Sequence, residues 1–174
     1  SQVTPVQASG INLYDVRSKC EHPPLCYDFS PTEKYLNLPE VVEALGTTGH
    51  KWSSCNMMVN ARFHTDWMQH FQTVFPSMLE AGIRVLIYAG EMDYICNYMG
   101  NKAWTLALPW KGEEEFTAAG DHAWMVEGKE AGLARSASGF TFLQVHDAGH
   151  MVPLDQPENS LAMLDSFLTD KPFY

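Results

Sequence analysis

Apolar positions along the 174 residues follow two periods. Residues 83–89, IRVLIYA, form an almost uninterrupted apolar run rich in Val and Ile. Such runs suit strands covered on both faces. Phe140–Val145 is a second run of this kind. Elsewhere the spacing is helical. Tyr35, Leu36, Val41, Val42 and Leu45 predict a helix from Thr32, with Gly46 as its stop. Trp67, Phe71, Val74, Met78 and Leu79 predict a longer helix over 57–81, kinked or split at Pro76 and capped by Gly82. A helix is expected over 97–108, ending before Pro109, and another over 160–168, led in by Pro157. Residues 113–145 predict short strands, with turns near Gly120, Gly128 and Gly139. Residues 1–31 carry Pro5, Gly10, Pro23, Pro24 and Pro31 and predict an irregular segment. No repeat, low-complexity tract or internal linker interrupts the pattern. Strand, helix, strands, helix is the signature of an α/β sheet in one domain over 1–174.

The two strand-like runs end in turns that each offer an ionisable group. IRVLIYAGEMD ends on Asp93, and FTFLQVHDAGHMVP carries His150. Ligands of α/β sheets bind outside the carboxyl ends of strands. Aspartate before histidine, each past a strand, is the back two-thirds of a Ser…Asp…His triad in α/β-hydrolase order. In such a triad histidine activates a weak serine nucleophile, and a buried carboxylate fixes the histidine tautomer. Glu91 competes with Asp93 for the carboxylate role, and the shorter Asp93 side chain is the easier to hold rigid. Taken singly, each has a plainer reading: aspartate forms turns, and a histidine after glycine is often a surface residue. No G-x-S-x-G elbow occurs in the sequence. The chain therefore reads as part of a serine hydrolase without its nucleophile. His146 and His150 also make an H-x-x-x-H pattern, which on a helix would suit zinc. The preceding β-rich run and Ala148-Gly149 oppose a helix there, so neither a metal site nor a cofactor is expected. His64 and His70 read as solvated helix positions, and Trp104, Trp110 and Trp124 as core.

A net charge of −10 disfavours nucleic acid and anionic membranes as partners and is compatible with an acidic compartment. No apolar stretch reaches the length of a membrane span. The N-terminal sequence has neither the basic nor the apolar region of a signal peptide, and there is no N-x-S/T sequon. Cys20 and Cys26 flank the loop EHPPL and can close a local bridge, which favours an oxidising compartment. With Cys55 and Cys96 they allow three full pairings, or four buried thiols.

YAGEMDYICNYMGNKAWTLALPW over 88–110 and DAGHMVPLDQPENS over 147–160 resemble the serine carboxypeptidases, peptidase family S10, and in particular their carboxypeptidase Y and cathepsin A type. LYDVRSKCEHPPLCY, YLNLPEVVEALG and the SCN at 54–56 follow the family's order upstream. The likeness spans essentially the whole chain but only the C-terminal part of the family's length. It implies part of an α/β-hydrolase fold, a mostly parallel sheet flanked by helices. It implies that Asp93 and His150 are catalytic and that Cys96 and Met151 line the substrate cleft. Cys96 would then be a free thiol open to mercurials. Tyr27 and Ser54 would lie near the leaving-group pocket. Cys20 would pair with Cys26, and Cys55 with a cysteine nearer the full protein's N-terminus. The family's G-E-S-Y-A-G and W-x-N-G-G-P-G segments are absent, so the chain alone is expected to be inactive. The implied partners are a peptide substrate and the N-terminal chain or segment of the same enzyme. The implied location is lysosome, vacuole or the secreted space. Relatives that transfer acyl groups or cleave hydroxynitriles supply the alternative activity. Closeness to the carboxypeptidase Y type, and not to plant-type members, favours the peptidase. A third reading is a non-catalytic fragment that self-associates, for instance as a homodimer, through its exposed sheet.

Overall fold

The computed structural model describes residues 3–67 and 69–174. In chain order the elements are α1 (Val3–Ala8), α2 (Ser30–Leu36), α3 (Pro39–Ala44), α4 (Met57–Arg62), a 3-10 turn (Phe71–Val74), α5 (Phe75–Glu80), β1 (Val85–Gly90), α6 (Tyr98–Leu106), α7 (Glu113–Ala118), β2 (His122–Val126), β3 (Lys129–Ala137), β4 (Phe140–Val145), α8 (Val152–Asp155) and α9 (Pro157–Thr169). They group into two compact units. One comprises residues 1–20 and 72–174, and the other residues 21–71.

The larger unit is built on a four-stranded mixed sheet in the order β1-β4-β3-β2. β1 pairs with β4 in parallel, from Val85↔Phe140 to Gly90↔Val145. β2, β3 and β4 are joined as antiparallel hairpins. Among the described residues the parallel pairing is thus confined to β1–β4. That junction needs a crossover, and α6, α7 and the hairpin strands supply it. Glu127-Gly128 and Ser138-Gly139, all at positive φ, turn the two hairpins. Among the described residues, the outer edge of β1 has no strand partner.

β4 is buried at all six positions. Phe140 and Phe142 pack with Leu79, Val85, Leu108 and Phe116 beneath α5, α6 and α7. Leu143 and Val145 point the other way, to Trp124, Val152, Met163 and Phe173. This alternation places α9 on the opposite face of the sheet. Each such side chain contributes about 1.5–3 kcal/mol by leaving water.

Several elements depart from the sequence pattern. The expected helix from Thr32 is two helices, because Pro39 starts α3 and forces Leu38 into an extended conformation (ψ 135°). The long helix over 57–81 does not form. Its apolar spacing is spread over α4, a turn region, the 3-10 turn and α5, and Pro76 occupies the first turn of α5 instead of kinking a longer helix. Met68 lies outside the described residues. Residues 113–118 are helical and not a strand: Glu113, Glu114 and Glu115 suit the positive end of a helix dipole, and Phe116 is fully buried. The first 31 residues are not wholly irregular, since α1 forms and Ile11 bridges Lys19.

In the smaller unit Asn37 brackets α2 to the following chain. Its Nδ2 donates to the Glu33 and Trp52 carbonyls, and its Oδ1 accepts the Trp52 N–H at 2.9 Å. Asn56 caps α4 by accepting from the Met58 and Val59 amides. His64 and His70 are exposed outside the helices, so their expected helical setting is corrected.

Candidate active site

The carboxyl ends of β1 and β4 lie side by side, because Gly90 pairs with Val145. The chain turns sharply after each. Beyond β1, the Met92 N–H donates to the Ala148 carbonyl (2.8 Å) and the Val16 N–H to the Met92 carbonyl (3.0 Å). Beyond β4, Asp147 adopts a left-handed conformation (φ 53°) and Ala148 is fully buried. A Cβ on Gly90 would lie 2.8 Å from the Ala148 carbonyl carbon, and closer still to the carbonyl oxygens of Ala148 and Gly149. Only glycine lets the two turns approach this closely.

The approach brings Asp93 and His150 together. The His150 Nδ1–H donates to Asp93 Oδ2 at 2.8 Å. The second carboxylate oxygen accepts the Cys96 N–H at 3.1 Å. Both oxygens of Asp93 are thereby engaged, and the residue is buried, 5% exposed. The His150 side chain keeps 39% of its surface, so its far edge faces outward. A buried carboxylate on one imidazole nitrogen, with the other nitrogen open, is the arrangement that prepares a histidine to take a proton from a nucleophile.

Glu91 is directed elsewhere. It meets His146 Nδ1 at 3.1 Å and accepts from Gln144 Nε2, while His146 Nε2 lies 3.3 Å from Glu130. The two histidines of the H-x-x-x-H pattern therefore serve different carboxylates. Asp93, Cys96 and His150 do bring one ligand atom each within 4.8 Å of one another, a donor set that includes the thiol. Cys96 is free and solvent-reachable. Partial burial, reinforced by the Asp93 charge, pushes its thiol above the usual cysteine range. Met151 follows His150 directly and is half-buried at the start of α8. Tyr27 and Ser54 belong to the other unit, where they line one cavity of about 240 Å³ with His22, Phe29 and Cys55. Cys20 and Cys26 are disulfide-bonded, and Cys55 is free and exposed. The reading with four buried thiols is thereby excluded. Trp124 is core, as expected of these aromatics, and Trp104 and Trp110, partly buried, pack against the other cluster.

Leu13–Arg17, which follows the family's order in sequence without an assigned role, forms the back wall of this site. The His150 N–H donates to the Tyr14 carbonyl at 2.7 Å, and the Tyr14 ring meets the imidazole edge-on at 5.2 Å. Leu13 accepts from the Tyr94 and Ile95 amides just past Asp93. No periodicity marks Leu13–Arg17, because its role is long-range backbone pairing.

The sequence profile of the serine carboxypeptidases matches residues 2–170. The chain belongs to the serine carboxypeptidase family. A serine carboxypeptidase-like protein of Pisum sativum is 47% identical over 91% of this chain and 55% of its own length. Carboxypeptidase Y of Komagataella phaffii is 43% identical over 97% of the chain and 33% of its length. Among solved structures, a prohormone-processing carboxypeptidase from Saccharomyces cerevisiae superposes with a TM-score of 0.72 at 26% identity, over 92% of this chain and 36% of that one. The mixed sheet and its flanking helices are thus part of an α/β-hydrolase fold. The chain spans about half the length of the pea relative and a third of the yeast ones. The plant relative matches as well as the fungal carboxypeptidase Y, so the supposed distance from plant-type members does not separate peptidase from acyltransferase.

Proposed function

We propose that this chain is the C-terminal part of a serine carboxypeptidase and supplies the acid and base of its triad. The observation that carries the reading is the 2.8 Å contact between His150 Nδ1 and a buried Asp93, with the opposite imidazole edge open. In the complete enzyme, His150 would take the proton of a serine from the N-terminal part as it attacks the last peptide bond of a substrate. It would then pass that proton to the departing amino acid, and repeat the sequence with water on the acyl-enzyme. Asp93 would hold the imidazole in the required tautomer and stabilise its charged form. Cys96 and Met151 would border the substrate cleft.

The open edge of β1 and the free Cys55 are where the remaining polypeptide would attach, by strand pairing and by a disulfide. The Cys20–Cys26 disulfide supports maturation in an oxidising compartment and function in a lysosome, a vacuole or outside the cell. By itself the chain, which has no G-x-S-x-G motif, would be inactive.

The test is His150→Ala in the complete enzyme, assayed on an N-blocked dipeptide. Turnover is expected to fall by about 10⁴-fold or more at unchanged folding. Turnover near the unsubstituted level would remove the assignment. Acylation of an added alcohol by an activated ester, without peptide hydrolysis, would replace peptidase with acyltransferase.

A further inference from the structure

His150 sits on a loop with no regular structure, yet its imidazole must be held to within a fraction of an ångström. The hydrogen bond to Asp93 constrains the ring and not the loop backbone. The loop contains a strained residue, since Asp147 is a non-glycine at φ 53°, a left-handed conformation that persists only where its surroundings hold it.

Ala148 is held by the Met92 N–H and His150 itself by the Tyr14 carbonyl; the ties at Asp147 and Gly149 converge on one guanidinium. Arg17 Nη1 donates to the Asp147 carbonyl at 2.9 Å, and Gln156 Nε2 donates to the same oxygen. Arg17 Nε and Nη2 grip the Asp15 carboxylate at 2.9 and 2.6 Å. Nη2 also lies 3.6 Å from Asp155 Oδ2, and that oxygen accepts the Gly149 N–H at 2.6 Å. Two of the three residues before His150 therefore have a backbone group tied, directly or through Asp155, to Arg17. On the far side, Gly149 packs so closely on Tyr14 and Asp15 that an added Cβ would be 2.9 Å from that of Asp15. The planar fork of arginine grips the Asp15 carboxylate bidentately while its third nitrogen reaches the Asp147 carbonyl, a fixed geometry that a lysine ammonium does not reproduce. Without the guanidinium, the buried Asp15 and the neighbouring Asp155 would face each other uncompensated, and the Asp147 carbonyl would lose its charge-assisted donor.

We propose that Arg17, acting with Asp15 and Asp155, is the positioning residue of the triad: it locks the 147–149 backbone so that His150 keeps Nδ1 on Asp93 and its other edge toward the nucleophile. The role rests on the triad reading above. Arg17 touches neither the imidazole nor the Asp93 carboxylate. Its effect is on the geometry of the proton transfer, not on substrate binding.

The experiment uses the complete enzyme carrying Arg17→Met, Arg17→Lys, Asp155→Ala or His150→Ala. Active sites are counted with a fluorophosphonate titrant, except in the His150 variant, which is assayed per mole of protein. For Arg17→Met, kcat per titrated site is expected to fall about tenfold or more, equivalent to ~1.4 kcal/mol in the barrier. KM for a small peptide should stay within about twofold. Arg17→Lys should recover part of the loss by restoring the charge without the fork. A merely structural role would lower the thermal midpoint and the number of titratable sites but leave kcat per site intact. That result in Arg17→Met overturns the proposal. Should Arg17→Met fail to accumulate, Asp155→Ala decides by the same threshold, since it removes the Gly149 acceptor and leaves the arginine. Loss of turnover in His150→Ala alongside normal Arg17 variants rejects positioning alone. Normal turnover in His150→Ala rejects the triad reading itself.

Discussion

Gly90→Ala tests how the site is assembled. Gly90 is the last residue of β1, buried, and its conformation is ordinary for any amino acid. Its constraint is space. An added Cβ would lie 2.8 Å from the Ala148 carbonyl carbon and closer to two carbonyl oxygens, whereas ordinary contact starts near 3.4 Å. These neighbours are backbone atoms and cannot rotate aside, so either the strand end or the His150 loop must move by about 1 Å. A shift of that size between reacting groups costs about 10²-fold in rate. Overpacking of this kind costs about 1–3 kcal/mol of stability. In the complete enzyme, Gly90→Ala is therefore expected to lower the thermal midpoint by several degrees and kcat by about two orders of magnitude. Gly128→Ala provides the control. Gly128 turns β2 into β3 at φ 79° with nothing near its would-be Cβ. That substitution should cost about 1 kcal/mol of strain and leave kcat per active site unchanged. Differential scanning calorimetry and steady-state kinetics on both variants give the answer. A Gly90→Ala enzyme with normal kcat would show that close packing of the two turns does not set the Asp93–His150 geometry on which turnover is proposed to depend.

Two further outcomes concern ionisable groups. The Arg17 guanidinium holds the Asp15 carboxyl below the usual carboxylate range, outweighing its burial. A depressed folded value means the contribution is full above about pH 4, where unfolded aspartate is ionised, and is lost as pH falls through the folded value. The thermal-midpoint gap between the unsubstituted enzyme and Asp15→Asn should thus be widest near neutrality and close on acidification below pH 4; a gap independent of pH would contradict the pairing. Cys96, raised first by burial and then by Asp93, should be alkylated by iodoacetamide more slowly than free cysteine at pH 7, with a rate still climbing at pH 9. A pH–rate profile with the same midpoint as free cysteine would show that the thiol is not shifted upward.

The elements that positioned the candidate site were readable from the sequence where a local rule had no competitor. β1 and β4 are apolar runs bounded by turn residues, and burial on both faces is what such runs require. Asn97 and Gly82 stand at the helix ends where capping places them. Helical spacing misled over 57–81 and strand propensity over 113–118, because short stretches satisfy either period and distant packing decides between them. The sequence alone determined that an aspartate and a histidine follow separate strands in triad order, that Cys20 and Cys26 are near enough to bridge, and that no serine elbow is present. Asp93 is already favoured over Glu91 by its shorter side chain, and only the tertiary structure decided that β1 and β4 are neighbours, that Glu91 turns to His146, and that Leu13–Arg17 closes behind them. Those outcomes depend on carbonyls, amides and a guanidinium brought together across about eighty and about a hundred and thirty residues. No local pattern encodes such contacts, since their partners become neighbours only once the sheet has formed.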